Sequence, residues 1–544
     1  MTLTVLGLGA SALPGGGVVA PAVGAPGTLG TPAPAAAAPG ETVVGGIEVP
    51  SLSGGGTAAK SGTRTVAELP RTSTDVFSLI GVTWAAGGPT VEAEVLVSTR
   101  TDAVWSGYEE LHVAEDPGDA AGDVTRSGTE PLWVGEADGV AVRIVTAAAT
   151  RLADVEVTTV APDLTTSTAA AQTASTVTAI AKTTSASAAG AGSYPAMPDV
   201  ITRREWGADP DLGDTCWEPR FGSSARAVVV HHTVNSNDYS REEAPAIVRS
   251  IHAYHTQGQG WCDIGYNFLV DRYGQVYQGR AGGVRKPVRG AHAGDYNTDT
   301  VGISMIGDFD TERVPRRLKR AMVRLIGWRL GTSYTRILGK TRIHDLRVPH
   351  IVAHRDVMST ACPGRFGVKF LPPLRRRVRA YLAEYDPPIQ ARAHEIGRDI
   401  TGPVFIGETR VKGGVLTRFE NGRMLMQRGG EPHWVAGRPL EEFIHHGGIG
   451  GRLGFPTSDL EPTSVPLLRR MMFEHGVLYQ DRFERPRVLH GRIRVRWGKL
   501  GGPDGPLGAP LSSVRSNDRR ERARFENGRI TLQRDTNEIV VEIA

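Results

Sequence analysis

Apolar and polar positions alternate in short runs between residues 69 and 162, as in "DVFSLIGVTW" and "VEAEVLVSTR", with Gly, Pro and Asp clusters between the runs. This pattern predicts an all-β sandwich over 69–162. Residues 1–68 are dominated by Gly, Ala and Pro, and we expect a signal-like, low-complexity segment that is disordered. Residues 163–197 are rich in Thr, Ser and Ala, which predicts an extended linker that separates the sandwich from the part of the chain that follows.

The pattern changes over residues 198–385, where runs of strand length and helix length are mixed. The run "ARAVVVHH" predicts a strand whose last two side chains, His231 and His232, point to opposite faces. Another short strand, in "HIVAHRDV", ends at His354, and helical spacing follows the capping-box pattern "SREE" and Pro315. We therefore predict a mixed α/β domain with a central, mostly β-sheet core flanked by helices.

Residues 386–544 contain an internal repeat. The segment "RFENGRMLMQ" returns as "RFENGRITLQ", with a looser copy, "MFEHGVLYQD", between them. Their aromatic residues Phe419, Phe473 and Phe525 are 54 and 52 residues apart, and "LGFP" and "LGAP" precede the second and third copies. This period predicts an array of three LGFP-like repeats. A purely structural spacer and a ligand-binding array are equally open on this pattern.

Composition narrows the classes of function. The 544 residues carry a net charge of only +4, and their 62 basic and 58 acidic side chains are spread along the chain, so we expect no nucleic-acid partner. No run approaches the roughly 20 apolar residues that span a bilayer, so we expect no transmembrane segment. Three cysteines and a signal-like N-terminus favour a secreted protein with one disulfide and one further thiol.

The candidate chemistry centres on Cys362 in "HRDVMSTACPG". A cysteine here can be a nucleophile paired with His354, half of a disulfide, or a metal ligand. His231 and His354 end separate strands, so with Cys362 they can converge on one zinc ion if those strands are neighbours in the sheet. Cys216 and Cys262 then remain as the pair for a disulfide.

Four ordered motifs resemble a known family: "VVVHHT", "YHTQGQGWCDIGYNFLVDRYGQVYQGR", "GAHAGDYNTDTVGISMIGDF" and "AHRDVMSTACPG". In this order they resemble the peptidoglycan recognition proteins, also called type-2 N-acetylmuramoyl-L-alanine amidases, over most of residues 198–385. The C-terminal repeats resemble the LGFP repeats of actinobacterial envelope proteins. The sandwich looks like the N-terminal domain of actinobacterial members of the family.

The resemblance implies a zinc-dependent hydrolase that cuts the amide bond between N-acetylmuramic acid and L-alanine in peptidoglycan, and that is secreted or held at the cell envelope. The alternative is a recognition protein that binds peptidoglycan without cutting it, since members of that kind replace the cysteine. LGFP-like repeats imply contact with an envelope polymer. No acidic residue in the four motifs is an obvious general base.

Carried over residue by residue, the resemblance assigns roles to individual side chains. It implies Zn2+ ligands at His231, His354 and Cys362. Tyr266 would orient or polarise the scissile amide, and Thr360 matches a position that active members fill with Lys or Thr. The substrate-binding residues it implies are His255, Arg280, His292 and Asn297.

Overall fold

A computed structural model describes residues 42–52, 63–85, 93–114, 126–147, 152–162, 194–212, 218–335, 337 and 339–544. The predicted linker lies outside these ranges except for its last four residues, and so do residues 1–41 of the predicted disordered segment. Within the described ranges, no helix has both the length and the apolar character needed to cross a bilayer.

The N-terminal domain is one hydrogen-bonded β-sheet, which confirms the all-β prediction. Its strands are β1 (Val43–Glu48), β2 (Thr63–Ala85), β3 (Ala93–Thr101), β4 (Val104–Trp105), β5 (Glu109–Leu111), β6 (Arg126–Gly128), β7 (Leu132–Ala147) and β8 (Glu156–Ala161). The order is β1-β8-β2-β7-β3-β4, with β5 beside β3 and β6 beside β2. The long strands β2 and β7 pair with several register shifts, and side chains from both halves of β2, such as Leu69 and Val82, share one core.

The prediction of disorder over residues 1–68 is wrong for two stretches. Strand β1 pairs antiparallel with β8 along its whole length, and β2 already begins at Thr63. Few large apolar side chains suffice here because an added strand takes its backbone hydrogen bonds from the edge of an existing sheet. The buried side chain of Val49 then extends the core that the sheet already has.

The second domain is a mixed α/β unit, as predicted. Its elements are β9 (Val200–Ile201), α1 (Arg203–Trp206), β10 (Ala227–His232), α2 (Ala244–Ala253), β11 (Phe268–Val270), β12 (Val276–Gln278), β13 (Thr300–Met305), α3 (Arg316–Gly331), β14 (Lys340–Ile343), β15 (Leu346–Pro349), β16 (Ile351–Ala353) and α4 (Gly364–Leu382). The central sheet has the order β16-β10-β13-β11-β12-β9. Helix α2 continues into a wider π-helical turn, Tyr254–Gly258.

Local sequence signals explain where these helices begin. The Ser240 and Glu243 side chains bond reciprocally to each other's backbone N–H just before α2, and Pro315 precedes α3. Helices α3 and α4 cover one face of the sheet, with Leu318 and Leu325 packed on that face in the main core. Helix α2 packs on the opposite face, in a core that also includes Leu269.

The N-terminal domain and the α/β domain share a hydrophobic core. Leu79, Trp133 and Val160 from the first domain pack in one cluster with Ile247 and Tyr254 from the second, and all five side chains are almost fully buried. The prediction that a linker separates the sandwich from the catalytic part is therefore wrong. A long Thr/Ser/Ala-rich connection allows the two domains to separate, but the apolar face of α2 needs a partner, and the N-terminal sheet provides it.

The C-terminal third forms the predicted array, in which each repeat is a four-stranded antiparallel sheet. Helix α7 (Gly437–His445) of the first repeat stacks Phe443 on Phe473 of the second, and α8 (Gly491–Lys499) of the second stacks Trp497 on Phe525 of the third. Neighbouring repeats therefore share cores, as expected for units that cannot bury a face alone. The elements are α5 (Pro388–Ile396), α6 (Arg398–Thr401), β17 (Val404–Val411), β18 (Gly414–Phe419), β19 (Gly422–Gln427), β20 (Pro432–Ala436), α7 (Gly437–His445), β21 (Glu461–Pro462), β22 (Arg469–Met472), β23 (Gly476–Gln480), β24 (Pro486–His490), α8 (Gly491–Lys499), β25 (Arg515–Ser516), β26 (Arg520–Phe525), β27 (Gly528–Gln533) and β28 (Ile539–Ile543).

Candidate metal centre

His231 and His354 lie at the same edge of the central sheet because their strands are parallel neighbours. Strand β10 pairs with β16, with Val230 opposite Ala353, and His354 directly follows β16. The condition under which the two histidines can converge, namely that their strands are neighbours, is therefore met. His231 lies on the face of β10 that points away from α3 and α4, whereas His232 lies on the face that these helices cover.

The side chains of His231, His354 and Cys362 converge at this edge. One ring nitrogen of each histidine and Sγ of the cysteine lie within 4.8 Å of one another. Sγ is 3.8 Å from Nδ1 of His231, and the two imidazole centroids are 4.3 Å apart. Nε2 of His354 is buried and has no hydrogen-bond partner among the described residues. A buried polar atom without a partner is costly, and a metal ion between the three side chains would satisfy it.

The protonation states of these side chains suit a cation. Burial lowers the pKa of His231 well below its ordinary value, with a further contribution from His354, and burial lowers the pKa of His354 to about 4. Both imidazoles are therefore neutral at pH 7, with a lone pair for a metal. Burial raises the pKa of the Cys362 thiol well above its ordinary value, so that thiol keeps its proton until a cation displaces it.

Backbone hydrogen bonds hold the loop that carries Cys362. The Arg355 N–H donates to the carbonyl oxygen of Cys362 at 3.0 Å, and the Cys362 N–H donates to Oγ1 of Thr360 at 3.2 Å. The His232 N–H points at Sγ from 3.4 Å. Thr360 is half-buried, and its hydroxyl, which accepts a bond within the loop, keeps its own proton as a donor.

Tyr266 lies beside the three side chains, just before β11. Its ring centroid is 5.3 Å from that of His231. Burial raises the pKa of the phenol well above its ordinary value, and the nearby Glu130 carboxylate raises it further, so the phenol stays protonated. Its Oη donates to Oε2 of Glu130 at 3.3 Å. Glu130 belongs to the N-terminal domain, and no motif of the sequence marks it.

His292 contacts the far side of His231. Its Nδ1 is 3.1 Å from Nε2 of His231, and its ring lies between Gly290 and Gly302, where a Cβ would come within 2.3 and 2.2 Å of the ring. Burial lowers the pKa of His292 to about 3, with contributions from His354 and Arg280. If His231 binds a cation through Nδ1, its Nε2 carries the ring proton and donates a hydrogen bond to Nδ1 of His292.

Comparison with known proteins identifies the family. Residues 221–365 match the family described as N-acetylmuramoyl-L-alanine amidase. Peptidoglycan recognition protein 1 of Mus musculus is 33% identical to this chain over 167 residues, which cover 30% of this chain and 81% of that protein. The chain belongs to the peptidoglycan recognition protein family.

Other peptidoglycan recognition proteins align with the same part of the chain. Peptidoglycan-recognition protein SC1a/b of Drosophila simulans is 29% identical over 170 residues, covering 30% of this chain and 80% of that protein. Among solved structures, wild-type Drosophila PGRP-LB is 30% identical with a TM-score of 0.27, covering 32% of this chain and 92% of that one.

Two further family matches flank the peptidoglycan recognition domain. Residues 28–187 match the family described as Rv3811 N-terminal galactose-binding domain-like, which extends past the predicted sandwich of 69–162 on both sides. Residues 453–505 match the LGFP repeat, which confirms the predicted resemblance.

The structure places the side-chain amide of Asn297 in a loop beside His292. Its side-chain oxygen accepts from the backbone N–H groups of His292 and Ala293 at 2.8 and 3.0 Å, and its nitrogen donates to the Gly294 carbonyl at 2.7 Å. Asn297 is buried, and these bonds use its amide to hold the loop that positions His292. Asn297 therefore acts as a turn residue in this loop, and its predicted substrate contact stays a prediction.

His255 and Arg280 are also buried, and their predicted substrate contacts stay predictions. Nδ1 of His255 accepts from the Gly265 N–H at 3.1 Å, and its ring lies 4.5 Å from that of Trp261. The Arg280 N–H donates to the carbonyl of Tyr266 at 2.9 Å. Both residues therefore shape the backbone around Tyr266.

Two further predictions concern the disulfide and the packing of His232. Cys262 is buried, but Cys216 lies outside the described residues, so the predicted disulfide between them stays a prediction. Nδ1 of His232 accepts from the Phe309 N–H at 3.2 Å on the face opposite His231, which agrees with a packing role.

Proposed function

We propose that the chain is a zinc-dependent N-acetylmuramoyl-L-alanine amidase, which hydrolyses the amide bond between the lactyl group of N-acetylmuramic acid and L-alanine in peptidoglycan. The observation that supports this best is the convergence of His231, His354 and Cys362 at one sheet edge beside Tyr266. A recognition protein that only binds peptidoglycan has no need of a complete ligand set with a phenol beside it.

The residues present fit zinc. Two neutral imidazoles and one thiolate are a donor set that zinc favours, and three protein ligands leave a fourth position for reaction. The buried, unpartnered Nε2 of His354 is explained by such an ion. When bound, zinc supplies a Lewis acid for the amide carbonyl and activates water near neutral pH.

Tyr266 and Thr360 supply hydrogen-bond donors on the substrate side of the site. The phenol of Tyr266 is protonated at neutral pH, so it can donate to the carbonyl oxygen of the scissile amide as negative charge develops there. Thr360 lies two residues before Cys362 with its hydroxyl proton available. The two donors orient the amide and stabilise its oxyanion.

His292→Ala is expected to weaken zinc binding about 10- to 100-fold while leaving all three ligands in place. His292 accepts the outer N–H of His231, and without it the imidazole loses the contact that fixes its orientation. The measurement is a zinc dissociation constant, obtained by competition with a chromophoric chelator. His292→Asn keeps an acceptor near Nδ1 and should recover part of the loss.

The matched control is His344→Ala, because the His344 side chain is exposed and contacts Asp345 and the ring of Tyr296, away from the three converging side chains. That variant should bind zinc as the wild-type chain does. Wild-type zinc affinity in His292→Ala would contradict the orienting role.

The setting of this activity is the cell envelope. The substrate is a cell-wall polymer, and LGFP repeats such as residues 453–505 would hold the enzyme near an envelope polymer. We therefore propose that the protein is secreted and acts in the envelope.

The test uses the full chain and purified sacculi. We expect new L-alanine amino termini to appear, to stop after chelation and to return when zinc is added back. Zinc-loaded protein that binds sacculi but releases nothing would instead support the non-catalytic recognition protein. Hydrolysis that resists chelation and is blocked by thiol alkylation would support a cysteine hydrolase that uses Cys362 and His354.

A further inference from the structure

A segment of the N-terminal domain, Gly128–Leu132, reaches into the site. The Tyr254 Oη donates to the carbonyl of Thr129 at 2.8 Å, and the side chain of the next residue, Glu130, accepts from Tyr266 Oη. With its side-chain amide oriented to donate, Asn235, in the loop after β10, reaches the carbonyl of Pro131 at 3.2 Å. The segment is thus bound by α2, by Tyr266 and by the loop that follows His231.

The backbone on both sides of Glu130 is fixed within its own domain. The Thr129 N–H donates to the Val82 carbonyl at 2.9 Å, and Oγ1 of Thr129 accepts from the Val82 N–H at 3.1 Å. The Glu130 N–H donates to the His112 carbonyl at 2.7 Å. The shared core under this segment consists of buried apolar and aromatic side chains, so the carboxylate is presented from a packed scaffold.

Glu130 is close to the metal side chains without being one of the ligands. Its carboxylate accepts from Tyr266 Oη at 3.3 Å, and the ring centroid of Tyr266 is 5.3 Å from that of His231. Two groups of described side chains converge closely enough to hold a cation, His231 with His354 and Cys362, and His232 with Asp308 and Asp310, and Glu130 belongs to neither. A carboxylate beside Tyr266 could exchange a proton with a water molecule that attacks the amide there.

Amide hydrolysis needs a group that can accept a proton and then return it. A proton must leave the attacking water, and another must reach the amide nitrogen before it can depart as an amine. Tyr266 is protonated at neutral pH and Thr360 is a hydroxyl, so both are donors and neither is a base there. A half-buried glutamate beside Tyr266 has the chemistry that these two lack.

We propose that Glu130 is a catalytic residue, the general base and then general acid, contributed to the amidase site by the N-terminal domain. This rests on the proposed amidase function. Water loses one proton to the Glu130 carboxylate as its oxygen forms the new C–O bond at the lactyl carbonyl. The C–N bond then breaks, and Glu130 returns the proton to the nitrogen, leaving a lactyl carboxylic acid and the free amino terminus of L-alanine.

The test is Glu130→Gln in the full, zinc-loaded chain, assayed on a soluble muramyl peptide. Glutamine keeps the size of the side chain and a partner for Tyr266 but cannot take a proton. We expect kcat to fall about 10²- to 10⁴-fold, with KM, zinc content and melting temperature close to those of the wild-type chain. Glu136→Gln, an exposed change in the same domain, is the matched control and should leave all four quantities unchanged.

A second variant separates chemistry from structure. Glu130→Ala should be as slow as Glu130→Gln, and added formate should restore part of its kcat, because a small carboxylate can occupy the space of the missing one. An unchanged or raised kcat in Glu130→Gln would overturn the proposal, and a raised one would mean that the segment obstructs the substrate groove. If the zinc-loaded wild-type chain itself hydrolyses nothing, the amidase proposal fails, and the role of Glu130 fails with it.

Discussion

Cys362→Ser is expected to abolish hydrolysis and to release the metal. Serine places a neutral hydroxyl where a soft, anionic thiolate would bind zinc. The hydroxyl could replace the thiolate only if its pKa were lowered enough for it to lose its proton. Loss of Lewis-acid stabilisation worth about 4 kcal/mol corresponds to a rate loss of about 10³-fold. The measurements are zinc content by elemental analysis and the release of L-alanine amino termini by the full chain.

Cys362→Asp is the informative companion, because a carboxylate also binds zinc and can reach the same position. We expect it to keep zinc and part of the activity. A cysteine nucleophile would behave in the opposite way: Cys362→Asp would be inactive even with zinc bound, and Cys362→Ser would lose activity without losing metal. That pair of results would contradict the hypothesis that Cys362 is a zinc ligand and would support a cysteine hydrolase.

The central sheet and the convergence of His231, His354 and Cys362 at its edge could be predicted because the information is local. A run of apolar residues that ends in His231, and another that ends at His354, place both side chains at strand ends, and parallel strands end at the same edge. The loop to Cys362 is short, so it cannot place Sγ far from that edge. The capping signals before α2 and α3 are equally local.

The contribution of Glu130 could not be predicted because it depends on how two domains pack. Glu130 lies outside residues 221–365, which carry the family match, and beyond a long Thr/Ser/Ala-rich connection. Composition predicts that such a connection is extended but says nothing of which surfaces meet. Burial explains why these two surfaces meet. The rings of Tyr254 and Trp133, one from each domain, lie in the same buried apolar cluster.

Gly81→Ala is expected to displace the N-terminal domain from the amidase site. A Cβ at residue 81 would lie 2.2 Å from Cε2 and 2.5 Å from Oη of Tyr254, whose ring is fully buried in the shared core. Either β2 or the ring must move, and overpacking of this kind costs about 1–3 kcal/mol. We expect a melting temperature lower by about 2–4 °C for each kcal/mol.

The same change should slow the reaction. Movement of Tyr254 breaks its bond to the Thr129 carbonyl, and Glu130, the next residue, then shifts away from Tyr266. A displacement of about 1 Å at reacting groups can cost about 10²-fold in rate, so we expect kcat to fall on that scale. Zinc content should not change, because all three ligands belong to the α/β domain.

Gly107→Ala is the matched control, since a Cβ there meets nothing within 4 Å in the same domain. It should match the wild-type chain in melting temperature, kcat and zinc content. If Gly81→Ala melts early yet keeps wild-type kcat, the docked N-terminal domain only stabilises the fold. If kcat falls while zinc is retained, the catalytic unit of this amidase extends across both domains, because the docked sheet then acts through the groups it presents and not through the metal.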